Sequence, residues 1–319
     1  MRNVIKTHTG TVISDEDLSL EYVCVGDYGK ENNVKADFLG YKNKINKVEH
    51  KDVNINDKLV LLISSQKGCP MSCNFCDCPK FGFHGNATCV ELLSEITTGV
   101  ALSGIKHGKR LNLHFARMGE PTFNENVIEA AIKTAQIFNG TFDEYHPVVA
   151  TMCPKNNKNL FSFLDSWCKA GSIYGGDMGF GIQFSINTLD EDKRNEAFNN
   201  ESLSLKEIGE LISKLPHPGK RKYTLNFAVT PESNLDVNLM NKYFDKDRCV
   251  IKITPMHRTY EAMKSGYEVI DGYDGYEKFE RPLVEDGWDV IVALISEEED
   301  SDRITCGNSF IAKKFESKK

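Results

Sequence analysis

The chain has 319 residues, of which 40% are hydrophobic, so it is long enough to build a sizeable core. It contains no apolar run of about 18 residues or more, and no apolar stretch follows its first residues, so neither a transmembrane helix nor a secretion signal is expected. The net charge of −7 argues mildly against docking on a large folded RNA, because phosphate contacts favour a basic protein face. A local basic groove would be compatible with this charge.

Ten cysteines occur in a chain with no export signal. In a reducing cytosol such cysteines are more typical of ligands, nucleophiles or buried thiols than of disulfides. We therefore expect a cytoplasmic protein with no membrane association.

The first 58 residues predict a small β-rich extension. Strand-like runs occupy residues 21–25 and 34–38, and the asparagines and glycines between them are typical of hairpins rather than helices. We therefore divide the chain into an N-terminal extension, residues 1–58, and a core, residues 59–319, whose last segment carries Cys306.

Beyond residue 58, strand-like apolar runs alternate with amphipathic stretches. Strands that alternate with helices of about 10–15 residues predict βαβ units and a parallel sheet. Six or so units suit an α/β fold with a partial (β/α)6 barrel, since a complete eight-unit barrel would need more chain. The strands are expected at residues 59–65, 111–118, 147–152, 181–186, 223–229, 249–254 and 290–295, and the helices at residues 90–103, 126–138, 157–169, 205–214 and 235–244.

Three closely spaced cysteines, Cys69, Cys73 and Cys76, directly follow the first barrel strand, at the edge where parallel sheets carry their active sites. Three thiolates at this spacing can hold a [4Fe–4S] cluster and leave one iron open to bind S-adenosylmethionine (SAM). The alternatives are an electron-transfer cluster and a zinc site that uses Cys73 and Cys76, with or without Cys78. A zinc site usually requires a second CxxC motif or a histidine pair, and the sequence shows neither. An electron-transfer cluster requires a fourth cysteine, and Cys78 is too close to Cys76 to be a comfortable fourth ligand.

Several short motifs resemble the RlmN/Cfr family of radical SAM RNA methylases. Residues 64–69, SSQKGC, resemble the family's SSQ-x-G-C sequence, and residues 82–86, GFHGN, resemble its GF-x-x-N sequence. Residues 118–124, MGEPTFN, resemble its MGEP-x-x-N motif. The resemblance covers about residues 45–312. Weaker matches follow in the right order at Ser185-Ile186-Asn187, Pro255-Met256-His257 and Cys306-Gly307-Asn308.

The resemblance implies a radical SAM barrel in which SAM binds at the strand ends. It implies that Glu120 takes the ammonium of SAM, a task suited to a carboxylate, and that Gly119 also contacts SAM. Further SAM contacts are implied for Thr151, Ser185, Asn187 and His257. The plainer alternatives are that Glu120 only ends a strand, that Ser185 and Asn187 are ordinary turn residues, and that His257 is a solvated loop histidine.

The resemblance further implies that Cys306 is a methyl carrier. In the family one SAM methylates this cysteine, and a second SAM yields the radical that removes hydrogen from the S-methyl group, so that the methylene adds to an sp² carbon of adenine. Glu49, 20 residues before Cys69, falls where the family has a proposed proton acceptor, although its charged stretch is also typical of a surface. The plainer alternative for Cys306 is a buried thiol. A competing hypothesis is a radical SAM enzyme that uses the 5′-deoxyadenosyl radical directly on a small molecule, nucleotide or peptide.

The implied partners are a flavodoxin- or ferredoxin-type electron donor and a substrate that is an RNA, a nucleotide or an adenine-like small molecule. No stable protein partner is inferred.

Two features depart from the family. Leu62 stands where the family has a second cysteine, seven residues before Cys69, which resolves the adduct between protein and substrate. Cys78 and Cys153 are candidate replacements, because both follow predicted strand ends. In addition, only a β element precedes the core, where family members have a helical RNA-binding domain. Together with the acidic charge, this favours a smaller RNA, a nucleotide, a peptide or a metabolite over ribosomal RNA.

Overall fold

Ten strands form one mostly parallel sheet in the described part of the chain. The computed structural model describes residues 2–15, 21–25, 54–217, 220–270, 274–293 and 297–309. Its strands are β1 (Arg2–Lys6), β2 (Gly10–Asp15), β3 (Glu21–Val25), β4 (Leu59–Ile63), β5 (Gln66–Gly68), β6 (Phe83–Asn86), β7 (Gly108–Phe115), β8 (Phe142–Thr151), β9 (Gly181–Ser185), β10 (Tyr223–Val229), β11 (Cys249–Pro255) and β12 (Val290–Val292).

The strand order of the sheet is β1-β2-β3-β4-β7-β8-β9-β10-β11-β12, while β5 and β6 form a separate two-stranded hairpin. Neighbours from β1 to β4 are antiparallel, and neighbours from β4 to β12 are parallel. Parallel strands in sequential order are typical of a (β/α) barrel wall. The predicted α/β fold is thus confirmed. The domain boundary at residue 58 stays a prediction, and the strand expected at residues 34–38 lies outside the described residues.

Helices connect the parallel strands. Two of them begin with a capping box, in which Thr88 or Ser204 accepts a hydrogen bond from the N–H three residues later and a glutamate bonds back. In the described residues, none of the helices has the length and apolar character needed to cross a membrane. The helices are α1 (Cys89–Ser103), α2 (Asn126–Ile137), α3 (Leu160–Tyr174), α4 (Glu191–Ala197), α5 (Leu205–Lys214), α6 (Val237–Tyr243), α7 (Tyr260–Lys264), α8 (Asp274–Glu285) and α9 (Glu297–Ser301).

The two faces of the sheet differ in polarity, and β7 illustrates the difference. Leu111, Leu113 and Phe115 are fully buried in the main hydrophobic core, which they share with side chains of the surrounding helices. Asn112 and His114, between them in sequence, line a cavity on the other face. Since side chains alternate across a strand, the outer face is packed and the inner face is left free for polar groups.

Candidate functional site

A cavity of about 380 Å³ lies on the inner face of the sheet. Cys69, Cys73 and Cys76 line it from the segment between β5 and β6. Glu120, beyond the end of β7, and Cys306, near the end of the described chain, line the same cavity. The fold therefore brings these four thiols and the Glu120 carboxylate, from distant parts of the chain, into one space.

A glycine fixes the base of the cysteine loop, residues 69–82. Gly68 has a φ of +75°, and a Cβ at this position would lie 1.7 Å from the carbonyl oxygen of Gly82. The Cys69 N–H donates to that same carbonyl at 2.9 Å. Only glycine permits both the left-handed backbone and this close approach, so Gly68 sets where the loop begins.

The three loop thiols lie close enough to influence one another. Burial, and then the charge of Cys76, raises the pKa of Cys69 to about 12, and the same two causes raise the pKa of Cys73 well above its ordinary value. A hydrogen bond from Cys78 lowers the pKa of Cys76. In the described residues, no three His, Cys, Asp or Glu side chains converge on a single metal ion. A cubane cluster does not require such convergence, because its thiolates bind separate irons.

The residues around α4 support the loop from one side. Glu201 accepts hydrogen bonds from the backbone N–H and the hydroxyl of Ser72, at 2.8 and 2.9 Å. The ring of Phe75 packs edge-on against that of Phe198, with centroids 5.6 Å apart. These contacts fix the positions of the thiols relative to the barrel wall.

Glu120 is a buried carboxylate, with only 3% of its surface exposed. One carboxylate oxygen accepts from the hydroxyl of Thr122 at 2.6 Å, and the other from the Met152 N–H at 3.1 Å. Burial raises its pKa, and these hydrogen bonds partly oppose that rise. In the described residues no Lys, Arg or His pairs with it. A buried anion of this kind suits a cationic ligand.

Gly119, the preceding residue, has a φ of +95°. A Cβ there would lie 2.6 Å from the Gln66 side chain, whose Oε1 accepts from the Glu120 N–H at 2.8 Å. The glycine thus lets the Glu120 backbone dock against the cysteine segment.

The remaining predicted SAM contacts fall into two groups. Ser185, Asn187 and His257 line the cavity, and Asn187 has a left-handed φ of +63°. Thr151 is 1% exposed and is not among the lining residues, whereas its neighbours in sequence, Ala150 and Met152, are. The Thr151 hydroxyl instead accepts a hydrogen bond from the Cys153 N–H at 2.9 Å. It lies near Glu120 and lowers the pKa of that carboxylate, in part opposing the effect of burial.

The segment that carries Cys306 docks on the cysteine loop. The Asp77 N–H donates to the Gly307 carbonyl at 2.9 Å, and Arg303 contacts the Asp77 carboxylate at 3.3 Å. Cys306 itself is exposed, with its Sγ 3.8 Å from the carbonyl oxygen of Ala116. The thiol is therefore held at the cavity rim beside the end of β7.

His257 connects to the same segment through Asp300, with its Nδ1 3.3 Å from Asp300 Oδ1. Asp300 also accepts from the Thr305 hydroxyl at 2.6 Å and from the Arg258 N–H at 3.0 Å. Burial would raise the pKa of Asp300, but the contacts with His257 and these donors outweigh it and lower the pKa.

Three positions bear on the missing resolving cysteine. Leu62 lines the cavity and packs against the small hydrophobic cluster of Val12, Val23 and Ile304. Cys78 also lines the cavity, with its Sγ 3.5 Å from the Arg117 carbonyl, whereas Cys153 is fully buried and not among the lining residues. Glu49, the predicted proton acceptor, lies outside the described residues.

Sequence reasoning missed the polar side chains that hold the Cys306 segment, chiefly Glu21, Asp77, Arg117 and Asp300. Arg117 directly precedes the MGEPTFN motif and Asp77 directly follows Cys76, so their positions give a weak signal that they lie near the site. Nothing local in the sequence marks the contact of Glu21 with Arg117, 96 positions away, or that of Asp300 with Arg258, 42 positions away.

No family model matches the chain. Curated relatives carry the name dual-specificity RNA methyltransferase RlmN. The protein from Sulfurovum sp. is 24% identical over 196 residues, covering 60% of this chain and 52% of the relative, and that from Wolinella succinogenes is 25% identical over 184 residues, covering 56% and 47%. A relative from Thermosynechococcus vestitus is 35% identical over 86 residues, covering 27% and 24%. The chain thus spans about half the length of the first two relatives.

Among solved structures, a radical SAM methyltransferase from Sphaerobacter thermophilus has the same fold, with a TM-score of 0.63. The identity is 16%, and the match covers 97% of this chain and 80% of the other. The chain is therefore related in sequence to curated RlmN methyltransferases and has the fold of a radical SAM methyltransferase.

Proposed function

We propose that the chain is a radical SAM methyltransferase that methylates an sp² carbon of an adenine-like substrate through a methylated Cys306. The observation that carries this proposal is the shared cavity: Cys306 and the three loop thiols line the same space, and the Cys306 segment is hydrogen-bonded to the loop through Asp77. A carrier thiol has to lie near the site where SAM is cleaved, and this arrangement meets that requirement.

Cys69, Cys73 and Cys76 would hold a [4Fe–4S] cluster. Their donor set fits this group, because three soft thiols line one cavity. Burial disfavours the charged forms of Cys69 and Cys73, and the positive charge of bound iron would offset that effect. When bound, such a cluster supplies the electron that splits the sulfonium of SAM. A flavodoxin- or ferredoxin-type donor in the cytoplasm would supply that electron in turn.

Glu120 would receive the ammonium of SAM, since its carboxylate is buried, held by Thr122 and Met152, and without a cationic partner in the described residues. Gly119 keeps the backbone in place for this contact. Ser185, Asn187 and His257 lie on the wall of the same cavity and would contact the polar groups of SAM.

Cys306 would take the methyl group of a first SAM and pass its carbon to the substrate. Its exposure and its place at the rim support this role, because a carrier thiol has to meet both SAM and substrate. Glu49 would accept a proton late in the reaction, a role that rests on the family resemblance alone.

One observation favours a second candidate, in which the 5′-deoxyadenosyl radical acts directly on a small molecule, nucleotide or peptide. The wall of the cavity carries Leu62 where the related family has its resolving cysteine. A leucine cannot form the disulfide that frees the methylated product. This second reaction needs neither that disulfide nor Cys306.

Intact mass analysis of the reconstituted protein after incubation with SAM tests the first proposal. We expect the mass to rise by one methylene group, with the modification on Cys306, in wild type and in Cys168→Ala, but not in Cys306→Ala. Cys168 is a suitable control because it lies in α3 and bonds to Tyr223 instead of lining the cavity. Product formation by Cys306→Ala would support the second candidate and reject the first.

A further inference from the structure

The end of the cavity opposite Cys306 carries an unusual set of side chains. Lys58 directly precedes β4 and Arg221 lies two residues before β10, so both stand at the amino ends of the strands, and both line the cavity. Cys306 and Glu120 stand at the carboxyl ends. The cavity therefore runs along the barrel from a sulfur-rich rim to a cationic floor.

The floor is positively charged and mostly buried. Lys58 is 5% exposed and Arg221 is 8% exposed. Lys252, from β11, lines the same space and donates to Gln183 Oε1 at 3.2 Å. Burial, and then the charges of Lys252, Arg221 and Lys58, lowers the pKa of His114 well below its usual value, so all three cations lie near this imidazole.

A glycine in β9 leaves space for the Arg221 side chain. Gly181 begins β9, and a Cβ there would lie 2.4 Å from the guanidinium carbon of Arg221. Barrel interiors are normally filled by branched aliphatic side chains, which pack without charge. A glycine that clears space for a guanidinium inside the barrel departs from this pattern, and the group of cationic side chains there suits an anionic ligand.

Two amides in the same space have hydrogen-bonding capacity left over. The Oδ1 atoms of Asn112 and Asn226 are buried and have no hydrogen-bond partner in the described residues. Asn112 is 6% exposed, and both residues line the cavity. Buried polar atoms without partners are rare in folded proteins, and a ligand hydroxyl would satisfy them.

We propose that this floor, formed by Lys58, Arg221, Lys252, Asn112 and Asn226, binds the phosphate and adjoining sugar hydroxyls of a small phosphorylated substrate such as a nucleoside monophosphate. A phosphate monoester carries nearly two negative charges and three terminal oxygens, which suits several cationic donors. The sugar hydroxyls would donate to the two amide oxygens. The choice of substrate class rests on the proposed function, because the reacting base is assigned to the Cys306 end.

Binding to the reconstituted protein, measured by calorimetry with AMP, adenosine and inorganic phosphate, tests the site without turnover. We expect AMP to bind at least about tenfold more tightly than adenosine, because adenosine lacks the charge-assisted hydrogen bonds to phosphate. Arg221→Gln and Lys252→Gln should remove this preference and the binding of inorganic phosphate. Lys220→Gln is the matched control, since Lys220 adjoins Arg221 in sequence but pairs with Asp177 on the surface.

Asn112→Asp gives a second variant in which the shape is kept and a negative charge is added, and it should also abolish the preference for AMP. Circular dichroism of each variant separates loss of binding from loss of folding. Equal binding of AMP and adenosine by wild type, or a preference that survives in both Arg221→Gln and Lys252→Gln, would overturn the phosphate site. Tighter binding of a short adenine-containing oligonucleotide than of AMP would overturn the assignment to a small molecule.

The same variants separate this inference from the proposed function. SAM-dependent methylation of Cys306 should persist in Arg221→Gln, because the floor lies away from Glu120 and the loop thiols. If wild type binds phosphate at Arg221 but Cys306 is never methylated, the proposed function fails while the phosphate site stands.

Discussion

Arg117 and Glu21 form an ion pair that is almost completely buried, with side-chain exposures of 1% and 0%. The same guanidinium donates to the main-chain carbonyls of Arg303 and Thr305, at 2.6 and 2.9 Å. One side chain thus joins β3, the end of β7 and the segment that leads to Cys306. The antiparallel extension is connected to the candidate site through this guanidinium.

Replacing Arg117 by methionine should lower the free energy of unfolding by about 3–5 kcal/mol, because the positive charge beside buried Glu21 is removed. Denaturant titration followed by circular dichroism measures the loss. Lys109→Met is the control, since Lys109 pairs with Asp57 in an exposed position, and its stability should not change measurably. Adding Glu21→Gln to Arg117→Met should restore part of the loss, and a double variant no more stable than the single one would contradict this account.

Gly68→Ala should prevent normal assembly of the cysteine loop, because its Cβ would overlap the Gly82 carbonyl. Gly104 offers a matched comparison. It has a similar φ of +71°, but an added Cβ would meet no neighbouring atom within 4 Å, so Gly104→Ala should cost only about 1–2 kcal/mol of backbone strain. Iron content after anaerobic reconstitution should fall in the first variant and stay normal in the second. Equal iron contents would argue against a steric role for Gly68.

Glu120→Gln should weaken SAM binding by about 10- to 100-fold, since a charge-assisted hydrogen bond becomes a neutral one. The amide preserves the size of the side chain and its bond to the Thr122 hydroxyl. Equilibrium dialysis with SAM measures the change, and unaltered affinity would remove Glu120 from the SAM site. Glu144→Gln provides a control on an exposed carboxylate, which pairs with Arg110.

Asp300→Asn should change how the free energy of unfolding depends on pH. The pKa of Asp300 is lowered from its ordinary value of 3.8, so its ionised form stabilises the fold above that pH, and the contribution is lost as pH falls through the lowered pKa. Wild type should therefore lose stability more steeply than Asp300→Asn below about pH 4. Unfolding midpoints measured across this pH range test the prediction. The pH dependence of His257→Gln should lie between that of wild type and that of Asp300→Asn. Parallel curves for all three proteins would mean that Asp300 does not anchor the segment.

Leu62→Cys should speed product release if the methyl transfer proceeds through an adduct on Cys306, because a thiol would return to the position of the resolving cysteine. Val60→Cys is the matched control, since Val60 lines the cavity from the same strand two residues earlier. Turnover and the amount of protein-bound substrate measure the effect. If both variants behave like wild type, adduct resolution does not limit the reaction.

The parallel core was predictable because its strands are apolar runs with turn residues between them. Residues 223–229 were predicted as a strand and form β10 with those limits, and the helix expected at residues 205–214 forms α5. β1 and β2 were missed, since they are short and rich in polar residues and depend on pairing with β3. Tertiary pairing overrides weak local preference in such segments.

The candidate site was predictable where its residues lie in one short motif, as for the three loop cysteines. The cationic floor was not, because Lys58, Arg221 and Lys252 are scattered and each looks like an ordinary surface charge. Only the inward alternation of the strands brings them together. Thr151 illustrates the opposite case, in which a residue expected to contact SAM is buried and does not line the cavity.

The hydrogen-bonded contact between the cysteine loop and the Gly307 carbonyl has a consequence for biosynthesis. Cys76 and Gly307 are 231 positions apart, so the loop thiols leave the ribosome long before the segment that docks on them. A nascent chain therefore exposes its iron ligands until a further 231 residues have been added. The segment around Gly307 closes the site only after it has itself been synthesised, and delivery of iron and sulfide can precede that closure.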